Sequence, residues 1–405
     1  MNKWIALIFL YLVQGLPHGF FGQAMPVLMR EQGLDLTLIG LMSLVALPWA
    51  VKFIWAPLLD KVSLYRDEYR RSWILLMNYS AAALLLVIAL QPVEFWVQQN
   101  LWLFVCLLLL LNFLIATQDI ATDALAVENL KPGERGLGNG VQVAGYRIGM
   151  VLAGGVLVAF FSWFGWQGAL LLLALVMVAG TLPLWRFQPR RHQVDDQPLW
   201  PLWLEFFRQP GAALWLMMIF LFKFGDAFGT QMIRPMLVDQ GFGLDELGLI
   251  LGTVGFAAGL AGALLGGWLV QQLGRQTALL GFLLLEALAL LSYLAIDGKA
   301  LYPVYQAVVL EHLAGGMATA ALFTVMMDRC REHCAAADYA LQSCVVVIAG
   351  LIAGAWSGLS ASLLGYNAHF VLAALLCMMA MVVVWLAIQQ QLISAKPAAV
   401  QRADD

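Results

Sequence analysis

Apolar runs of about 20 residues or more follow one another along the chain, separated by short stretches carrying Gly, Pro, Asn and charged residues. Wound into helix at ~1.5 Å per residue, such a run crosses the ~30 Å hydrocarbon layer of a bilayer. Hydropathy and turn signals together predict twelve helices, at about 4–29, 37–61, 72–91, 101–128, 136–162, 166–186, 211–234, 244–271, 276–296, 300–328, 335–363 and 368–391. The pattern predicts an all-α integral membrane protein, because helices satisfy their own backbone groups in lipid. The only long polar interval runs from Arg186 to Pro210; its bulky Trp200, Trp203, Phe206 and Phe207 suit a piece lying on the membrane surface. This divides the chain into a six-helix bundle over 1–185, a cytoplasmic linker over 186–210, a second six-helix bundle over 211–392 and a cytoplasmic tail over 393–405.

Composition agrees. A chain of 405 residues would otherwise be read as two or three soluble domains, but 62% of it is hydrophobic, 12% is charged and the mean hydropathy is +0.82. The apolar run after Lys3 is not read as a signal peptide, since Gln14, Pro17 and His18 interrupt it and many spans follow. A net charge of −3 argues against a nucleic-acid binder, and five cysteines against a disulfide framework. With the N-terminus inside, 16 of the 22 Lys and Arg fall on the cytoplasmic side and only Arg30, Arg234 and Lys299 outside. That asymmetry predicts both termini in the cytoplasm and an even number of spans.

The two halves echo each other. Phe20, Gln23, Gln32, Gly33, Leu36, Gly40 and Leu41 recur 208 residues later as Phe228, Gln231, Gln240, Gly241, Leu244, Gly248 and Leu249. Two six-helix pseudo-repeats are the plan of the major facilitator fold, whose transport site lies between the halves near mid-membrane.

Lys52, Arg147 and Lys223 are the cations left inside helices. A charge at a helix centre costs about 2.5–3.5 kcal/mol on insertion scales, so each needs a reason. Lys52, Asp119, Arg147, Lys223 and Asp226 are predicted at similar depth, and Asp123 lies one turn from Asp119 on the same face. These six suit a polar path with cations for an anionic solute and a carboxylate that takes up a proton; static ion pairs are the competing reading. Asp119 with Arg147, and Lys223 with Asp226, are the expected partners. His18, Gln23, Gln231, Glu311 and His312 are further candidates for the cavity, whereas Glu286 on the ninth span is expected to be peripheral.

Asp60 ends the second span, where a negative charge opposes the helix dipole unless an arginine or another helix's N-terminus lies opposite. Asp60, Arg70, Arg71, Glu128 and Arg135 are therefore read as a cytoplasmic gate. The corresponding loop of the second half keeps Arg275 but lacks the acid, so the latch is expected on one side only. Cys330, His333 and Cys334 lack a fourth ligand, so no metal is expected. Gly136, Gly138 and Gly140 follow a loop rather than a strand and are read as helix-packing positions, not a nucleotide fingerprint. Trp163 and Trp166 are expected to anchor the interface.

Several motifs taken together resemble the AmpG-type permeases of the major facilitator superfamily: Gln14 to Pro17, Lys52 to Asp60, Arg70 to Trp73, Gln118 to Ala124, Glu134 to Gly136, Gly145 to Met150 and Lys223 to Phe228. The stretches Gln23 to Arg30 and Gly136 to Gln142 look more like the RhtX/FptX siderophore permeases of that family. The resemblance implies an inner-membrane secondary permease, proton-coupled and monomeric, importing a ferri-siderophore by alternating access. Import of an anhydro-muropeptide is the alternative. It implies no cofactor, and it points to the six intramembrane charges as the positions for substrate or proton work. No helix-borne His-x-x-x-His or protease-like Ser/His pair suggests an enzyme, and no Walker motif suggests an ATP-driven pump. A non-transporting membrane sensor is the reading from a different class.

Overall fold

The computed structural model describes residues 3–34, 42–65, 68–157, 161–187 and 199–394; these form helices, with no strand among them. The first span is α1 (Lys3–Gly19), which widens into a π-turn over Phe20–Ala24 and resumes as α2 (Met25–Glu31). Pro17 lies within α1 and precedes the wide turn. A proline removes one helical hydrogen bond and crowds the preceding turn, a common cause of such irregularity. The second span is a chain of short pieces: α3 (Leu47–Val51), a 3₁₀ turn over Lys52–Ile54 and α4 (Ala56–Lys61). The third and fourth are regular, α5 (Tyr69–Ala89) and α6 (Leu101–Asn129). α7 (Arg135–Val151) runs into a second π-turn, Leu152–Val156, and α8 (Phe161–Gly180) with α9 (Leu182–Arg186) forms the sixth span.

After α10 (Leu199–Arg208) the second half repeats the scheme. α11 (Ala212–Thr230) and α12 (Ile233–Asp239) form the seventh span. α13 (Leu244–Leu247) leads through a π-segment, Gly248–Gly255, into α14 (Phe256–Gln272). α15 (Arg275–Ser292), α16 (Leu301–Asp328) and α17 (Ala335–Gln389) complete the described helices. α17 contains both last spans, joined at Gly365 with φ 77°, a left-handed conformation that a side chain would strain. Among the described residues nine helical stretches are long and apolar enough to cross a membrane. The other predicted spans correspond to the broken second span, the 17-residue α7 and the distal part of α17. Leu36, Gly40 and Leu41 of the repeat, residues 188–198 of the linker, and Lys396 and Arg402 of the tail lie outside the described residues.

Side chains are distributed inside out relative to a water-soluble fold. Leu90, Trp102 and Leu363 are each 73% exposed, while Lys52, Asn78, Gln118, Asp119, Thr122 and Asp123 are buried. Lipid is as good a solvent for leucine as the protein interior, so helices here associate through packing and internal polar contacts. In the first half Phe20, Trp96, Phe104 and Trp166 form an aromatic core. Trp163 is 82% exposed, but Trp166 is buried and donates from Nε1 to the Gln91 carbonyl at 3.1 Å, so it belongs to this core rather than to an exposed anchor.

The chain forms two compact units. One comprises Met1–Asn129, Ala144–Trp203 and Cys330–Leu341; the other comprises Leu130–Val143, Leu204–Arg329 and Gln342–Asp405. The start of α7 thus belongs with the second half of the sequence, and the start of α17 with the first.

Candidate transport site

In the first unit the irregular second span positions the charge. Val51 leaves helical geometry (φ −117°, ψ 5°), Lys52 opens the 3₁₀ turn, and Pro57 sits in the first turn of α4. Non-helical backbone at membrane depth persists only where protein or a polar cavity surrounds it. Lys52 and Asp119 are both buried and form an ion pair. The Trp49 ring lies 5.4 Å from the ammonium and donates from Nε1 to Asn112; Trp55 does the same to Thr117 Oγ1 at 3.0 Å. One turn further along α6, Asp123 accepts the Tyr11 hydroxyl at 3.2 Å. Arg147, the expected partner of Asp119, is half-buried on α7 in the same unit, but the ion pair observed for Asp119 is with Lys52. Depth along a helix is readable from sequence; the broken second span, which brings Lys52 to Asp119, is not.

In the second unit Lys223 pairs with Asp226 one turn along α11, at the i,i+3 spacing. Asp226, Glu286 and Glu311 bring carboxylate oxygens within 4.8 Å of one another, close enough to share a cation. Glu286, expected to be peripheral, is wholly buried on α15. Glu311 contacts His312 Nδ1, which also lies 3.1 Å from the Val308 carbonyl.

The gate candidates divide into two networks. Buried Arg70, opening α5, donates to Asp60 Oδ1 at 2.6 Å, to Glu128 at 3.0 Å through Nε and to the Leu59 carbonyl at 2.7 Å. Asp60 also accepts the backbone N–H groups of Ala336 (3.1 Å) and Ala337 (2.9 Å), in the first turn of α17. The acid at the end of the second span therefore meets both an arginine and a helix N-terminus. Arg71 is directed elsewhere, to Glu68 at 3.2 Å and to the Trp185 carbonyl and ring. Successive helical residues point about 100° apart, so one of the two arginines had to face away.

Arg135 belongs to the second network, with Asp328 Oδ1 at 2.9 Å; Arg275 holds Asp328 Oδ2 at 2.9 Å and the Pro132 carbonyl at 2.7 Å. The expectation of a latch on one side only is thereby corrected. The missing acid is Asp328, at the end of α16 rather than in the loop beside Arg275. The sequence did contain a signal: Glu128 ends the fourth span as Asp328 ends the tenth, and each binds the arginine that opens the preceding span. Sequence reasoning also missed Asp338, whose buried carboxylate binds the Arg331 guanidinium at 2.7 Å and its backbone N–H at 3.0 Å.

Of the remaining cavity candidates, His18 is exposed on α1 with its ring 5.8 Å from that of Tyr146, and Gln231 is exposed beside Gly354. The side chain of Gln23 lies outside the described residues.

A membrane-spanning helical protein with charges buried in its interior and repeated ion-pair networks at helix ends has the makings of a secondary transporter. The model of the Major Facilitator Superfamily matches residues 7–354, and the chain belongs to that superfamily. It is a transporter, not an enzyme. Within the superfamily it is an AmpG-type permease: it is 32% identical over 370 residues to the anhydromuropeptide permease of Escherichia coli K12, spanning 87% of this chain and 73% of that one. A putative transporter AmpG 4 of Rickettsia conorii is 24% identical over 395 residues, covering 93% and 94% of the two chains. The fold is shared with the human organic anion transporter MFSD10, at a TM-score of 0.71 and 15% identity over 94% of this chain and 99% of that one.

Proposed function

We propose that the protein imports anhydro-muropeptides across the bacterial inner membrane by alternating access of its two halves, driven by protons. The observation that carries this reading is the identity with the Escherichia coli anhydromuropeptide permease over most of both chains. The ferri-siderophore, put first by the motif likeness, becomes the second reading.

The buried Lys52–Asp119 pair supports a coupling mechanism. A peptide-bearing sugar carries carboxylates. A substrate carboxylate and Asp119 compete for the same ammonium, so protonating Asp119 frees Lys52 to bind the solute. Returning the proton to the cytoplasm restores the pair and expels the solute. Arg147 and Asp123 of the same unit supply the remaining polar wall. The Asp60 and Asp328 networks act as the inside gate, opening as the solute leaves.

Uptake measured in cells lacking their own permeases tests this. Restored recovery of cell-wall turnover peptides supports the reading; growth rescue by iron–siderophore, with no such recovery, overturns it. Asp119→Asn is expected to abolish uphill accumulation while the protein remains folded in the membrane. Normal accumulation by that variant would remove Asp119 from the coupling mechanism.

A further inference from the structure

Glu286 and Glu311 of the second unit are not used by this mechanism, and their arrangement with Asp226 is hard to reconcile with three ionised groups. Asp226 on α11, Glu286 on α15 and Glu311 on α16 are buried to 8%, 0% and 4% exposure, with oxygens within 4.8 Å of one another. Lys223 neutralises one charge, through Asp226. Among the described residues no N–H or hydroxyl donor meets either oxygen of Glu286; its side chain is wholly enclosed and faces the carboxylates of the other two acids. An anion without a donor in a buried site is the costliest state available to a carboxyl group. Like charges crowded into one site add to that cost, as when two carboxylates share a single proton.

The other elements packed around Glu286 offer little relief. His312 lies against Glu311 on α16, Tyr293 lies just past the end of α15 with its hydroxyl unpartnered among the described residues, and the Cys377 thiol of α17 is near Asp226 and Glu286. Gly315 leaves room beside the cluster: a methyl there would sit 3.5 Å from Glu286 and 3.6 Å from Asp226.

We propose that Asp226, Glu286 and Glu311 form a proton-binding site in the C-terminal half, with the proton resident on Glu286 and exchanged through Asp226. Accessibility sets the direction of exchange. The Lys223 side chain is 26% exposed and that of Asp226 12%, whereas Glu286 is sealed. In the exchange step the O–H bond of Glu286 breaks and its electron pair stays on the carboxylate. The proton bonds to an Asp226 oxygen, loosening Lys223, and leaves through water at the Lys223 side. A divalent ion at the same place would face the Lys223 ammonium, which favours the proton. The inference does not depend on which solute is carried.

Infrared spectra of the purified full-length protein, recorded at neutral pH in water and deuterium oxide, test it. The expected result is a protonated-carboxyl band that shifts in deuterium oxide, is lost in Glu286→Gln and is kept in Asp119→Asn. Its absence from the unmodified protein, or its persistence in Glu286→Gln, overturns the proposal. Should Glu286→Gln fail to fold, Gly315→Ala retains all three acids and places a methyl in contact with Glu286 and Asp226. That variant is expected to shift the band, and an unmoved band counts against the site. Titration with calcium or magnesium chloride alone provides the opposing outcome: stoichiometric binding lost in Gly315→Ala or Glu286→Gln would make this a metal site instead.

Discussion

Lys52 is 2% exposed and Asp119 is 6% exposed, so neither can leave the other without stranding a charge in the protein interior. Removing one partner of a buried pair costs about 3–5 kcal/mol, whereas replacing both by apolar groups of similar size is close to neutral. Lys52→Ala is therefore expected to lower the melting temperature of the purified protein far more than the double variant Lys52→Met/Asp119→Leu. Equal losses would show that the pair is not buried in the membrane as it is here. Both variants should be inactive in uptake, which separates stability from transport. The sequence made these residues visible because ionised groups inside apolar runs are expensive. It could not reveal their partners, since pairing depends on azimuth and on backbone breaks. Glu286 shows the limit most clearly: its position along the ninth span was plain, but the face it presents was not.

The helices themselves were largely legible, because length and apolarity decide what crosses a bilayer. Irregular stretches were less so: Pro17 and Pro57 hinted at the breaks in the first two spans, but neither hinted at the π-segment over Gly248–Gly255. Close packing between elements rests on a few missing side chains. A Cβ at Gly136 would lie 2.4 Å from the Gly267 carbonyl oxygen, and one at Gly267 would lie 2.5 Å from that of Gly136. Gly136→Ala should push α7 away from α14, costing about 1–3 kcal/mol as overpacking does and depressing uptake. Gly133→Ala, three residues earlier with nothing within 4 Å among the described residues, should be silent in both assays. Between α15 and α16, Asp328→Ala leaves the 1%-exposed Arg275 without its carboxylate. It should therefore destabilise more than Arg135→Ala, whose guanidinium is 16% exposed; thermal melting of the two variants gives the order.

For the whole molecule, an all-helical membrane fold of the facilitator type was readable from the apolar runs and the internal repeat. The exchange of residues 130–143 and 330–341 between the compact units was not, since it depends on contacts hundreds of residues apart. The positive-inside asymmetry makes a further prediction. A fluorescent protein fused after residue 394 should be bright, and alkaline phosphatase fused after Gly298 should be active outside the cytoplasm. The reverse pattern would invert the topology and exclude the gate assignment.

The contact between Asp60 and α17 has a consequence for how such proteins tolerate change. Its donors are the main-chain amides of Ala336 and Ala337, which every amino acid except proline supplies. Exchanges to glycine or serine at these two positions leave the bond standing, and a mutational survey that reads side chains will pass over them. Proline is accepted in the opening turn of a helix yet brings no amide hydrogen, so it is the substitution that can silence this contact while leaving Asp60 in place.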